Sequence, residues 1–244
     1  MAEHLLLRLE APLMAFGGEI IDHRGVVRDF PGKAALTGLL ANALGFDRSE
    51  GARHDRLQAR LVSGALRLRE GQALRDFQTA NLSGGDRGWT TAGRYEGRAG
   101  GAATYASPHI RQRDWQADVL MLVALRLNPA EEAPRLEEVA SALERPERPL
   151  FLGRKPALPS GPILLGTISA ATVSEALRAG AGRLVRRRGD EPVVPCRAEW
   201  PTGEGEMPGA RQISICDERR WETGVHGGLR QVMRGELPCK GVVS

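Results

Sequence analysis

Between Arg87 and Trp115 the chain concentrates five arginines (Arg87, Arg94, Arg98, Arg111, Arg113) against two acids (Glu96, Asp114), with both tyrosines and two of the four tryptophans. Guanidinium groups bond phosphate oxygens in pairs and stack on bases, and an aromatic ring offers a base a platform worth ~1–3 kcal/mol. Trp89, Tyr95 and Tyr105 suit the stacking of splayed single-stranded RNA bases, whereas Trp115 reads better as an anchor on the core. A solvated basic loop is the plain alternative for the same composition.

A second candidate is Phe30-Pro31-Gly32-Lys33 at a helix entry, where free backbone N–H groups and the helix dipole favour an anion. Lys33 in a first turn opposes that dipole, which points to an anionic ligand. A third is Leu150 to Pro156, where Arg154 and Lys155 follow a glycine turn in a form that can track a phosphate backbone. Arg183 and Arg186 to Arg188 read as a solvated charged face.

Acid–base chemistry has thinner support. None of the five histidines (His4, His23, His54, His109, His226) adjoins one of the three lysines (Lys33, Lys155, Lys240), and His109 among cations is the best general-base candidate. His226-Gly227-Gly228 reads as a tight backbone approach to RNA or to a neighbouring strand. Glu204 and Glu206 have no partner acids and are assigned no chemistry. Cys196, Cys216 and Cys239 are odd in number and lack a CxxC pair, so they read as reduced structural residues, with no metal site or cofactor expected. No Walker or GxGxxG loop follows a strand.

Positioning these groups requires an α+β frame. His4 to Glu10 alternates as a half-buried strand with Leu5, Leu7 and Leu9 inward. Leu36, Leu39, Leu40, Ala43 and Leu44 fall at helical spacing before Gly45. Gly38 inside that helix implies a close approach, expected from the sheet. Arg53–Arg60 reads as a short helix, Val62–Leu68 as a strand, and Leu74–Thr79 as the strand returning beside it after Gly71, before a Gly-rich basic insertion from Leu82 to Ile110. Val119–Leu127 is apolar on both faces, Pro134 opens a helix with Leu136, Val139, Ala140 and Leu143 inward, and Ile163–Ile168 adds a strand. The order βαββ, insertion, βαβ predicts a ferredoxin-like (RRM-like, RAMP) domain over residues 1–148 with an inserted hairpin at 82–110, and a smaller β-rich domain over 149–244.

The whole-chain numbers set limits. The 244 residues suffice for a substantial core, and a formal charge of +4 is modest. With three lysines among 34 basic residues, arginine dominates, as planar phosphate contacts favour. No long uncharged apolar stretch and no signal-peptide pattern appear, so a cytoplasmic protein with no membrane partner is expected.

Six motifs then occur in family order: Leu5 to Gly17; Phe30 to Gly45, followed by Arg48; Leu74-Arg-Asp-Phe-Gln-Thr79; Arg113-Asp-Trp-Gln-Ala-Asp118; Pro149-Leu-Phe-Leu-Gly-Arg-Lys155; and Arg219-Arg-Trp-Glu-Thr-Gly-Val-His-Gly-Gly228. Together they resemble the CasD family, the RAMP-type subunit of type I-E CRISPR Cascade. The resemblance implies a non-catalytic subunit that caps the CRISPR RNA (crRNA) 5′ handle. It further implies a thumb hairpin that packs on the adjacent CasC-like backbone subunit, surfaces that meet a CasA-like large subunit, and target DNA reached through the complex. By position it nominates Arg24, Arg28, Lys33, Arg48, Arg75, Arg154 and Lys155 as handle contacts, beside Arg87, Trp89, Arg94, Arg98, Arg111 and Arg113 of the basic segment. Ala34-Ala35 stands where the family usually has Ser-Gly, so a hydroxyl contact to phosphate is lost there. The alternative is a metal-independent endoribonuclease acting on CRISPR repeat RNA, as in the type I-C relative.

Overall fold

The computed structural model describes residues 1–21, 24–80, 88–89, 95–96, 109–185 and 193–240. In chain order these form β1 (Ala2–Glu10), β2 (Leu13–Met14), β3 (Gly17–Ile21), β4 (Arg24–Val27), α1 (Lys33–Ala43), α2 (Gly51–Arg60), β5 (Leu61–Arg69), β6 (Gln72–Ala80), β7 (Gly88–Trp89) and β8 (Tyr95–Glu96). They continue with β9 (His109–Ala117), β10 (Leu120–Leu127), α3 (Leu136–Glu144), β11 (Leu164–Ala170), α4 (Val173–Val185), β12 (Val193–Pro201), β13 (Arg211–Ile215) and β14 (Arg230–Lys240). Among them no helix is long and apolar enough to cross a membrane.

One seven-stranded antiparallel sheet runs β11-β1-β10-β5-β12-β14-β13. Its two faces carry separate clusters. Leu5, Leu7 and Leu9 of β1 join Met121, Val123 and Leu125 of β10 beneath α1 and α3, while Leu6, Leu122 and Ala124 face α4. The half-buried β1 of the sequence reading is thereby corrected. Leu6 is fully buried, which contributes about 1.5–3 kcal/mol, because α4 covers the face assumed to meet water.

Helix α4 is the element missed from the sequence, where glycines 180 and 182 read as punctuation. Gly180 is a packing residue: a Cβ there would lie 2.8 Å from the Leu6 Cδ2 atom, so its absence lets the helix settle on the sheet. Glu204, given no chemistry above, accepts the Val173 N–H at 3.0 Å and pairs with Arg126, anchoring the start of α4.

The boundary expected at 148 does not coincide with a break in the sheet. β11 pairs with β1 from Ala2 to Leu7, and β12, β14 and β13 extend the same sheet beyond β5. Cys196 and Cys239, expected to be reduced, are joined across β12 and β14 with Cα atoms 6.1 Å apart, and Cys216 is free. The reason is register: Val194 faces Cys239 and Cys196 faces Leu237, which sets the two cysteines diagonally on neighbouring strands.

The largest departure concerns β6. It does not return along β5. After Gly71, at φ +61°, it leaves the main sheet and pairs with β9 over its whole length, from Gln72 opposite Ala117 to Ala80 opposite His109. The main sheet has no place for it, because the flank of β5 is already taken by β12. The projecting hairpin therefore starts ten residues before the insertion predicted at 82, and β2 and β4 brace β9 on the other side. β7 and β8 pair with each other within that insertion.

Candidate nucleic-acid interface

The anion seat predicted at the start of α1 exists, and its anion belongs to the protein. The Asp217 carboxylate accepts the Lys33 backbone N–H at 2.7 Å, and the Asp217 carbonyl accepts the Ala34 N–H at 2.9 Å. Arg230 donates twice to the same carboxylate, both at 2.7 Å, and Lys33 Nζ pairs with Glu218 Oε1 at 2.9 Å. The cation that opposes the dipole thus has a neighbouring acid, Glu218, as its partner within the fold. Gly32 suits this close approach, since a Cβ would stand 3.0 Å from that of Asp217.

Asp217 begins a strap. Arg28 donates to the Cys216 carbonyl at 2.7 Å, and Gln58 exchanges hydrogen bonds with the Arg219 backbone at 2.9 and 3.1 Å. Trp221 donates its indole N–H to Gln58 at 3.2 Å, stacks on His54 at 4.6 Å, and lies 3.3 Å from where a Gly38 Cβ would be. Gly38 therefore makes room for Trp221, not for the sheet. The strap and the α1–α2 turn enclose an open groove of about 510 Å³ lined by Arg48, Arg53, Trp221 and Glu222 among others. Arg53 is held over the Phe46 ring at 3.8 Å and paired with Glu50 at 2.6 Å, and Arg48 is exposed beside it.

The second cationic region lies at the base of the β6–β9 hairpin. Arg154 stacks over Trp115 at 4.5 Å and donates to the carbonyls of Asp114 at 3.0 Å and Gly25 at 3.4 Å, which pins β9 to β4. Burial, then the Arg113 charge, push this guanidinium down from its ordinary value. Arg75 pairs with Asp114 at 2.8 Å, which raises its pKa, and Arg113 donates to Gln78 at 3.0 Å. Arg111 and Lys155 are exposed. Alternation along the strands puts Leu74, Asp76, Gln78, Arg111, Arg113 and Trp115 on one face of the hairpin, and Arg75, Phe77, Thr79, Ile110, Gln112 and Asp114 on the other. Leu74, Phe77 and Ile110 remain 43–58% exposed. These are large apolar side chains left uncovered on an arm that β2 and β4 brace along β9 only near its base.

Arg87, Arg94, Arg98, Tyr105 and Arg186 to Arg188 lie outside the described residues; Arg24, Trp89, Tyr95 and His109 are described by backbone alone. The fold thus gathers Arg28, Lys33 and Arg48 near the strap and Arg75, Arg111, Arg113, Arg154 and Lys155 near the hairpin. Sequence reading missed Asp217, Arg230, Gln58 and His54. Trp221 was visible within the Arg219–Gly228 motif, but nothing local linked it to α1. Among the described residues no three His, Cys, Asp or Glu side chains are grouped so as to hold a metal ion.

Residues 4–233 match the family described as CRISPR-associated protein (Cas_Cas5). The chain belongs to the Cas5 family. It is 27% identical over 180 residues to the CRISPR system Cascade subunit CasD of Escherichia coli (strain K12), covering 72% of this chain and 76% of that protein. A chain of a solved CRISPR RNA-guided surveillance complex shares the fold with a TM-score of 0.68 at 22% identity, over 96% of this chain and 91% of the other. A second solved structure, of a Cas protein, gives a TM-score of 0.60 at 25% identity over 96% and 95%. The Cas5 match embraces both cationic regions, the strap up to Met233 and the hairpin.

Proposed function

We propose that this Cas5 protein is a non-catalytic RNA-binding subunit of a type I-E Cascade surveillance complex, in which it caps the 5′ handle of crRNA and serves antiviral defence in the cytoplasm. The observation that carries the reading is the β6–β9 arm, which joins exposed Arg111 to uncovered Leu74, Phe77 and Ile110 and leads into the arginine- and aromatic-rich insertion. Arginines on such an arm suit phosphates and stacked bases, and its apolar residues suit a protein neighbour, here the CasC-like backbone subunit. A CasA-like large subunit is a further partner, and target DNA is reached through the complex.

The first four strands of the main sheet in chain order, β1, β5, β10 and β11, lie in the order β11-β1-β10-β5, with α1 and α2 before β5 and α3 before β11. This order supports reading them as a ferredoxin-like unit that ends near Ala170, with α4 and β12–β14 as a second unit sharing its sheet.

The handle contacts fall into two groups on this reading. Arg48, Arg111 and Lys155, exposed, and Arg24, Arg87, Trp89, Arg94 and Arg98 reach the RNA directly. Arg28, Lys33, Arg75, Arg113 and Arg154 hold the frame as well. Photo-crosslinking to a crRNA labelled in its 5′ handle should give the strong adduct. Label captured only from the 3′ hairpin would overturn the proposal. Incubation with repeat RNA in EDTA should leave the RNA intact, and specific cleavage lost in His109→Ala would replace a binding subunit with a nuclease.

A further inference from the structure

Among the charged groups of the strap, one pair is built to exchange. Asp217 is immobile: its side chain is 1% exposed, chelated by Arg230 and bonded to the α1 backbone. Glu218, the next residue, is different. Its side chain is 35% exposed and pairs with Lys33, whose own side chain is only 15% exposed. The carboxylate is thus the more exposed member of the pair.

Resting on the functional reading above, we propose that Glu218 is a specificity-determining residue: an internal stand-in for a phosphate that occupies Lys33 until an RNA phosphate held in register displaces it. A phosphate that reaches Lys33 exchanges one anion for another, so this largely buried ammonium keeps an anionic partner throughout and the exchange is near neutral on its own. Generic RNA, which arrives without other fixed contacts, therefore gains almost nothing from Lys33. An RNA anchored by the arginines of the hairpin and groove delivers its phosphate at high local concentration and completes the exchange. The strap keeps Glu218 in place through Asp217 on one side and the Gln58–Arg219 backbone pairing on the other, so the stand-in returns when the RNA leaves.

The test uses the full chain, with oligouridine as generic probe and a handle-bearing crRNA as specific probe, in wild type, Glu218→Gln, Glu218→Ala and Lys33→Met. Both Glu218 variants should bind oligouridine about two- to fivefold tighter than wild type at low salt. Their log affinity should fall more steeply with log salt by ~0.7, the increment for one further single-strand phosphate. Lys33→Met should abolish the gain when combined with either variant, and thermal melting checks that all variants fold. Unchanged oligouridine affinity in both folded Glu218 variants, or an equal gain in the Lys33→Met background, would overturn the exchange. A wild-type chain that binds oligouridine but shows no preference for the handle-bearing crRNA would instead remove the functional reading on which it rests.

Discussion

At the scale of single residues, the charges that matter most are those withdrawn from solvent. Asp217 can sit almost wholly buried because two guanidinium bonds and a backbone N–H replace its hydration. Arg230→Met leaves that carboxylate uncompensated at the α1 entry, and chemical denaturation should show a loss of about 3–5 kcal/mol. His4 is the contrary case. It is fully buried, and desolvation, only partly offset by its bond to the Ala2 carbonyl, lowers its pKa. Arg126 pushes it lower still, and Glu204 and Glu3 push it up. The unfolded chain therefore takes up this proton more readily than the folded one. Stability contributed by neutral His4 is full above about pH 6.5 and is lost as pH falls from there towards the lower folded value. Unfolding free energy measured against pH should decline across that window, and His4→Leu should flatten the decline.

At the scale of elements, glycines did the most to hide structure. Gly153 sits at φ +96° and packs so closely on Ala15 that any Cβ would collide with the Ala15 carbonyl oxygen. Gly153→Ala should cost on the order of 1–3 kcal/mol from backbone strain alone, with the collision adding to it, read as a lowered melting temperature. The same residue looked from sequence like a turn presenting Arg154 and Lys155 to phosphate. Within the fold it lets the Leu152 N–H and carbonyl reach Ala157 and Ala15. The β1, β10, α1 and α3 elements were legible because their apolar periodicity is local. The pairing of β6 with β9 was not, since its alternation is equally compatible with a return along β5. Nor was α4, whose Gly180 reflects a neighbour, Leu6, far earlier in the chain. Likewise Lys33 points to an anion at the α1 entry and Gly38 to a close approach on α1, but nothing local links either to Asp217 or Trp221.

For the molecule as a whole, a sheet covered on both faces separates the stable body from the arm. The residues from Gly84 to Gly101 belong to the insertion, and among the described residues both core clusters are built from elements outside it. Deletion of Gly84 to Gly101 should leave cooperative thermal unfolding nearly intact while abolishing assembly into a ribonucleoprotein with a protected handle, assayed by co-purification with tagged backbone subunit and nuclease footprinting. A truncated chain that still assembles with a protected handle would show that the arm is not the assembly element. Salt should weaken RNA binding in proportion to the phosphates contacted, with little effect on the buried Asp217–Arg230 pair.

The strap also sets a clock on synthesis. The first turn of α1 is completed by a carboxylate 184 residues downstream of Lys33. At a ribosomal pace of about 5–20 residues per second, the nascent helix waits roughly ten to forty seconds for its cap, with its N-terminal amides and Lys33 open in the meantime. During that interval Lys33 lacks the acid that later pairs with it, so ribosome-bound chains stalled before Asp217 should bind a polyanion such as heparin more tightly than the finished protein, as pull-down would read.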